Sequence, residues 1–435
     1  MAITVIDAPC GAGKTSWAIQ EMQKNLDRPY IFVTPFLKEI ERIQKETCAV
    51  RTFREPQHRN GGRKIDDFNN YLANGDSIAT THSTFANATD ETLELLRDGD
   101  YCLILDEVLD VLVDYNKLQE GKRQRITDKD IELLQREGFI SVDEYERVHW
   151  INVSSYPGSA YGEVERLARR GNLVLLDEYL LAWEFPPEIF RCFSEVYVLT
   201  YLFEGSYLAP YFKYHQIPYE KASMIHNGEV HELIPYQSDV PLRVQYKPLL
   251  HIHEKPGTYR NTQLSATGFE RLFRINKDTA FAKQMRNDLY NYFHNICKAH
   301  ANDILWTCPK DYRHRLKGRG YTEFTVYEET ADGQQKREKH ECFLSLNARA
   351  TNAYRDRHTL AYVYNMSPNP SFDKFFAKKE DGEGEAIKIN RDLFSVSCLI
   401  QWVWRSAIRD GEEVNLYLPA PRMQKLLKQW LDGEI

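Results

Sequence analysis

Short runs of consecutive apolar residues alternate along this chain with stretches in which apolar residues recur every three or four positions. Ile3–Ile6, Tyr30–Thr34, Ser77–Thr81, Tyr101–Leu105 and Glu195–Tyr201 read as strands of a sheet covered on both faces. Between the first of them lie helical stretches, Ser16–Leu26 and about Phe36 to Glu46. Strands alternating with helices at this pitch imply a parallel sheet and an α/β class. The second half has the same rhythm. A long amphipathic helix (roughly Lys277 to His300) leads into strands at Ile304–Thr307, Cys342–Leu346, Thr359–Tyr364 and Val414–Leu418, with helices near Ser395–Ile408 and Arg422–Leu431. Asn172–Trp183 reads as a hairpin, and residues 115–170 as a charged, mainly helical insertion. The stretch from Tyr207 to Asn276 carries no clear period, Glu380–Glu385 is an acidic loop, and no internal repeat is visible.

These patterns predict a first α/β domain over residues 1–245, a connector over 246–280 and a second α/β domain over 281–435. With 435 residues, 42% of them hydrophobic, the chain can fill more than one core. The net charge of −7 argues against a protein that coats nucleic acid indiscriminately. It is unevenly spread: residues 281–435 sum to about +3, which leaves about −10 for residues 1–280. Any nucleic-acid contact is therefore expected to be local. Eight cysteines without C-x-x-C pairs suggest reduced thiols, neither a disulfide framework nor a zinc site. No apolar run approaches the length of a membrane span, and no signal peptide is evident, so the expectation is a cytoplasmic protein without a membrane partner.

The most informative stretch is the loop after the first strand, Ala8-Pro9-Cys10-Gly11-Ala12-Gly13-Lys14-Thr15, followed by Ser16 at the opening of a helix. Strand, small-residue loop, Gly-Lys-Thr and helix, in that order, form a phosphate-binding loop. Its backbone N–H groups cradle phosphates, Lys14 supplies charge, and the Thr15 hydroxyl reaches Mg²⁺. ATP and Mg²⁺ are the expected cofactors. Such a loop needs an acidic element that holds the metal and positions the attacking water. Leu103-Ile104-Leu105 runs into Asp106-Glu107, which suits Asp106 to the metal and Glu107 to the water. A competing pair, Asp177-Glu178, interrupts an apolar run and fits a hairpin turn better.

The combination resembles the DEAD-like helicases and translocases of superfamily 2. The matching residues are Ala8 to Thr15, Thr34-Pro35 at motif Ia, Thr80-Thr81-His82 at motif Ic, and Asp106-Glu107-Val108-Leu109 as the DExx box. Gln401-Trp402-Val403-Trp404-Arg405-Ser406-Ala407-Ile408-Arg409 looks like motif VI, with Trp404 in place of a glycine and the second arginine one residue late. The segment Asn347 to Tyr354 and the Gln-x-x-Trp-Arg ending look like the divergent helicases of bacteriophages and plasmids. The resemblance implies two RecA-like domains with ATP between them. An arginine finger (Arg405, Arg409 or both, one helical turn apart on a shared face) would then stabilise transition-state charge, with Gln401 beside it. Motif III, which couples nucleotide state to nucleic acid, has two candidates: Leu264-Ser265-Ala266-Thr267, and Thr200 at the end of a better strand, which is preferred.

Nucleic-acid contacts are expected at Thr34, Thr81 and His82 in the first domain. In the second they fall on the basic run Arg313, Arg315, Lys317 and Arg319, and Arg349 and Arg355 are weaker candidates. The expected function is an ATP-dependent helicase or translocase acting on single-stranded nucleic acid, DNA in preference to RNA, as a monomer with replication proteins as partners. Two other classes share the loop and acidic pair: a packaging motor with a nuclease domain, and a non-translocating ATP switch.

Overall fold

The computed structural model describes residues 2–59, 61–118, 125–254, 259–329, 335–346 and 353–435. The strands of its first sheet are β1 (Ala2–Asp7), β2 (Tyr30–Thr34), β3 (Phe53–Arg54), β4 (Ser77–Thr81), β5 (Cys102–Asp106), β6 (Glu195–Thr200), β7 (Glu220–His226) and β8 (His231–Pro235). They lie in the order β8-β7-β1-β6-β5-β2-β4-β3. Every neighbouring pair is parallel except β7 and β8, which form an antiparallel hairpin.

Side chains alternate strictly across this sheet, as a pleated strand requires. Ile31 and Val33 of β2, Leu103 and Leu105 of β5, and Val196 and Val198 of β6 belong to one apolar cluster. Their neighbours Tyr30 and Phe32, Cys102 and Ile104, and Tyr197 and Leu199 belong to a second. Both faces are buried, which is why these strands read as unbroken apolar runs. Helix α1 (Lys14–Lys24) follows β1, and α2 (Leu37–Thr47) follows β2 with Ile40, Ile43 and Thr47 buried at helical spacing. The parallel register brings one set of strand ends together: Asp7 pairs with Thr200, and Leu199 with Asp106.

The insertion between β5 and β6 carries the helices Tyr115–Leu118, Asp128–Arg136 and Gly162–Arg169, plus a small hairpin of Ile140–Val142 with Val148–Trp150. Leu173–Leu176 and Leu180–Glu184 pair antiparallel. The turn between them holds Asp177 and Glu178 at positive φ (50° and 68°), the mirror-image turn that matches the twist of a hairpin.

The second sheet consists of β9 (Leu250–Ile252), β10 (Ile304–Thr307), β11 (Thr359–Tyr362) and β12 (Val414–Tyr417), in the order β9-β12-β11-β10 and all parallel. Helices α3 (Arg391–Val403) and α4 (Pro421–Leu431) belong with it. The strand expected at Cys342–Leu346 is reduced to a single bridge between Trp306 and Phe343. Among the described residues no helix is long and apolar enough to cross a membrane.

The two compact units divide differently from the expected domains. One contains Met1–Ala8, Ala12–Tyr236 and Pro368–Asn390; the other contains Pro9–Gly11, Gln237–Ser367 and Arg391–Ile435. Residues 246–280 are thus no connector, because β9 within them pairs with β12. The segment Pro368–Asn390 returns to the first unit because it is strongly apolar: Phe372, Phe375, Phe376, Ile387 and Ile389 join that unit's core. Its helix, Pro370–Ala377, has proline in its first turn and Asn369 as N-cap. The Asn369 backbone N–H donates to the Tyr207 hydroxyl at 2.7 Å, and the Tyr207 ring packs 5.4 Å from that of Phe372.

In the second unit His358 ties together the starts of three strands. Its Nδ1 lies 2.8 Å from Asp303 and its Nε2 2.6 Å from Glu412, while the hydroxyl of Thr359 donates to Asp303 at 2.8 Å. Burial pulls this imidazole down, but the Glu412 and Asp303 carboxylates outweigh it and leave its pKa above the ordinary value of 6.5. A raised pKa contributes stability that is present below the unfolded value and lost as pH rises through the folded one. Replacing His358 by Gln should therefore cost more at about pH 6 than at about pH 8.5. The difference should stay under about 1 kcal/mol for a partly exposed pair, read from urea midpoints.

Candidate nucleotide site

The loop that leaves β1 can close only because two of its residues lack a side chain. Gly11 and Gly13 have φ of 86° and 89°, the left-handed region that glycine enters without cost. Gly13 is the N-cap of α1, and its carbonyl accepts from the N–H of Trp17 at 2.9 Å. Trp17, Ala18, Ile19 and Met22 are buried and hold the helix, with the Trp17 ring 4.9 Å from that of Tyr197. The first-turn N–H groups of α1 thereby remain available to an anion. Lys14 donates from Nζ to the Ala8 carbonyl at 2.6 Å, and the Ser16 hydroxyl accepts from Arg42 at 3.3 Å.

The acidic residue sits where the register of the sheet puts it. Asp106 ends β5, and its Oδ1 accepts from the Thr15 hydroxyl at 3.4 Å while Oδ2 accepts from the Thr34 hydroxyl at 3.1 Å. Burial, then the neighbouring charges of Glu107 and Glu39, push its pKa up to about 7, against the Thr34 hydrogen bond and Lys14, which lower it. Glu107 follows at φ 70°, a left-handed conformation that costs free energy for a residue with a Cβ, and its N–H donates to Leu199 at 2.9 Å. Thr15 and Asp106 together supply hard oxygen donors of the kind Mg²⁺ prefers, so these residues fit that ion.

Thr200 ends β6 beside Asp7 and is buried, with a hydroxyl that makes no hydrogen bond among the described residues; its carbonyl accepts from the N–H of Ala8 at 3.1 Å. Ser265 is instead the N-cap of a short helix in the second unit, accepting from Gly268 N–H at 3.2 Å. Asp7 was not anticipated. Its carboxylate accepts from the N–H groups of Leu202 at 2.7 Å and Phe203 at 3.2 Å, fixing the chain as it leaves β6. Glu39 was also missed. Its only sequence signal is an acid in the first turn of α2, yet its Oε2 is buried, 3.5 Å from the Arg42 guanidinium and without a hydrogen bond among the described residues.

Two expected placements, Thr34 and the shared helix of Arg405 and Arg409, need correcting. Thr34 is fully buried with its hydroxyl on Asp106, which removes it from the nucleic-acid contacts. His82 lies with Nε2 3.2 Å from the Asp106 carbonyl, and Thr81 caps the helix His82–Phe85, accepting from Thr84 N–H at 3.4 Å. Arg405 and Arg409 do not share a helix. Helix α3 stops at Val403, Ser406 is extended (φ −97°, ψ −171°), and Arg409 lies in the separate 3₁₀ turn Ala407–Asp410.

In the second unit Trp404 is buried against the rings of Tyr246 and Trp430, 4.9 and 5.7 Å away. Arg405 is buried with an Nε that makes no hydrogen bond among the described residues. Burial and the adjacent Arg405 lower the pKa of Arg409. Pro9–Gly11 group with this unit, and a Cβ on Gly11 would meet Cγ and Nε of Arg409 at 3.7 Å. Gln401 stays on α3, donating to the Ser397 hydroxyl at 3.3 Å. Of the basic run, Arg313 is taken by Glu341 at 2.7 Å and by the Phe343 ring, whereas Lys317 and Arg319 are exposed. Arg355 pairs with Asp410, and Arg349, with most of the Asn347–Tyr354 segment, lies outside the described residues.

Comparison with known proteins places these features in a family. Residues 244–431 match the YonV C-terminal Rossmann-like domain, and residues 122–183 the YonV middle domain. The SPbeta prophage-derived uncharacterized protein YonV of Bacillus subtilis (strain 168) is 33% identical over 451 residues, covering 99% of each chain. The chain belongs to the YonV family. A solved structure of XPD in its apo form aligns with a TM-score of 0.50 at 13% identity, over 98% of this chain and 95% of that one. This YonV-family chain therefore shares the overall α/β fold of that XPD structure.

The acid pair makes a pH prediction. With a folded pKa of about 7 against an ordinary value of 3.8, Asp106 keeps its proton in the folded protein after the unfolded chain has released it. This group's contribution to stability therefore falls as pH rises from about 4 to about 7. Asp106→Asn should lose that part of the pH dependence, so the urea midpoints of wild type and variant should diverge across this window.

Proposed function

We propose that this chain is an ATP-dependent helicase or translocase that hydrolyses ATP with Mg²⁺ and acts on single-stranded nucleic acid, DNA in preference to RNA. The observation that carries the reading is the convergence of Lys14 and Thr15, after β1, with Asp106 and Glu107, at the end of β5, on either side of the parallel strand β6. Lys14 and the loop N–H groups bind the phosphates, Thr15 and Asp106 hold the metal, and Glu107 orients the attacking water. The ion supplies charge neutralisation at the phosphates. Thr200, packed between the loop and the acidic strand, links nucleotide state to the remainder of the first unit.

Arg409 is the favoured finger, supported by its place beside Gly11, while Arg405, whose buried Nε makes no hydrogen bond among the described residues, positions it. Exposed Lys317 and Arg319, with Thr81, His82 and Arg315, are the proposed nucleic-acid contacts. The prophage origin of the YonV relative supports a role in phage DNA replication or recombination.

ATPase rates measured with and without single-stranded DNA, single-stranded RNA and duplex test the reading. Stimulation by a single strand is expected; a rate indifferent to all three would leave an ATP switch. Lys14→Ala should abolish turnover. Arg409→Ala should lower kcat by about 10³-fold with nucleotide affinity nearly unchanged, because a finger acts in the transition state.

A further inference from the structure

The β7–β8 hairpin, unread in the sequence, brings His231 against the loop at Gly13 and stacks His226 on the His231 ring. His226 and His231 are cross-strand partners, and their rings stack with centroids 4.3 Å apart and planes 22° from parallel. His231 turns its ring edge to the loop: a Cβ on Gly13 would fall 2.3 Å from its Cε1 and 2.9 Å from Nδ1 and Nε2. The imidazole thus fills the space over Gly13 that any side chain there would need. Two hydrogen bonds fasten the hairpin to α1. The His231 N–H donates to the Gln20 side chain at 3.0 Å, and that side chain donates to the Glu229 carbonyl at 3.4 Å. Nδ1 of His231 is buried and makes no hydrogen bond among the described residues, whereas His226 is exposed. Burial, then His226, lowers the His231 pKa, which favours a flat neutral ring over Gly13.

A phosphate loop has no means of its own to tell a nucleotide from a bare polyphosphate, because N–H groups and a lysine charge read only phosphate oxygens. An aromatic platform at its edge supplies that discrimination, since every nucleobase has a face to stack. We propose that the His226–His231 stack is the nucleoside-binding part of this site: the base lies on the imidazole pair, and the ring edge of His231 meets the sugar–phosphate end. The inference rests on the reading of Ala8–Thr15 as a nucleotide site.

Calorimetric titration of the full chain with Mg²⁺ and either ATP or inorganic tripolyphosphate tests it. His226→Ala should weaken ATP about ten-fold and leave tripolyphosphate unchanged, and His226→Phe should retain ATP affinity by keeping a stacking face. Equal losses for both ligands, or no loss for either, would overturn the proposal while leaving the phosphate loop intact. A wild-type protein that binds neither ligand would remove both readings together.

Discussion

A carboxylate taken out of water at the end of a buried strand is the constraint around which the first unit is arranged. Asp106 is buried at the end of β5, which lies between β2 and β6 with both faces covered. Its two oxygens are met by hydroxyls from the ends of different segments, Thr15 after the loop and Thr34 at the end of β2. Two neutral donors ease the desolvation cost without cancelling it, so the proton is held unusually tightly. A cation placed there would displace that proton. The carboxyl is left with a residual cost of burial.

Other distortions nearby have the same character. Glu107 accepts a left-handed backbone, and Asp7 spends its carboxylate on two N–H groups of the turn after β6. Strain and buried charge of this kind persist only where surrounding structure over-determines them. The parallel register supplies that, locking Asp7 to Thr200 and Leu199 to Asp106.

The sequence announced whatever was buried on both sides. Tyr30–Thr34, Ser77–Thr81 and Ile304–Thr307 are strands over those same residues, because continuous apolar runs bounded by turns leave little choice. The loop Ala8–Thr15 and the pair Asp106–Glu107 stood out because the chemistry expected of them demands particular residues in order. The β7–β8 hairpin was not: it lies at the sheet edge, with half-exposed positions such as Lys221, Ser223 and Met224 that give no clean alternation. Thr34 was misread because motif position says nothing of which way a hydroxyl turns. Arg405 and Arg409 were misread because the helical period runs on through Ser406, where the backbone becomes extended. The return of Pro368–Asn390 to the first unit depends on a distant partner, Tyr207, which no local pattern reveals.

That returning segment bears on how the protein is made. The first unit's apolar core lacks Phe372, Phe375 and Phe376 until the ribosome has also translated residues 237–367. At typical synthesis rates this delay is on the order of ten seconds. Throughout it, a nearly complete first unit emerges with an uncovered greasy surface and must avoid sticking to other nascent chains. Its maturation is thus timed by the birth of its neighbour, and the order of synthesis does not match the order in which the two units can finish folding.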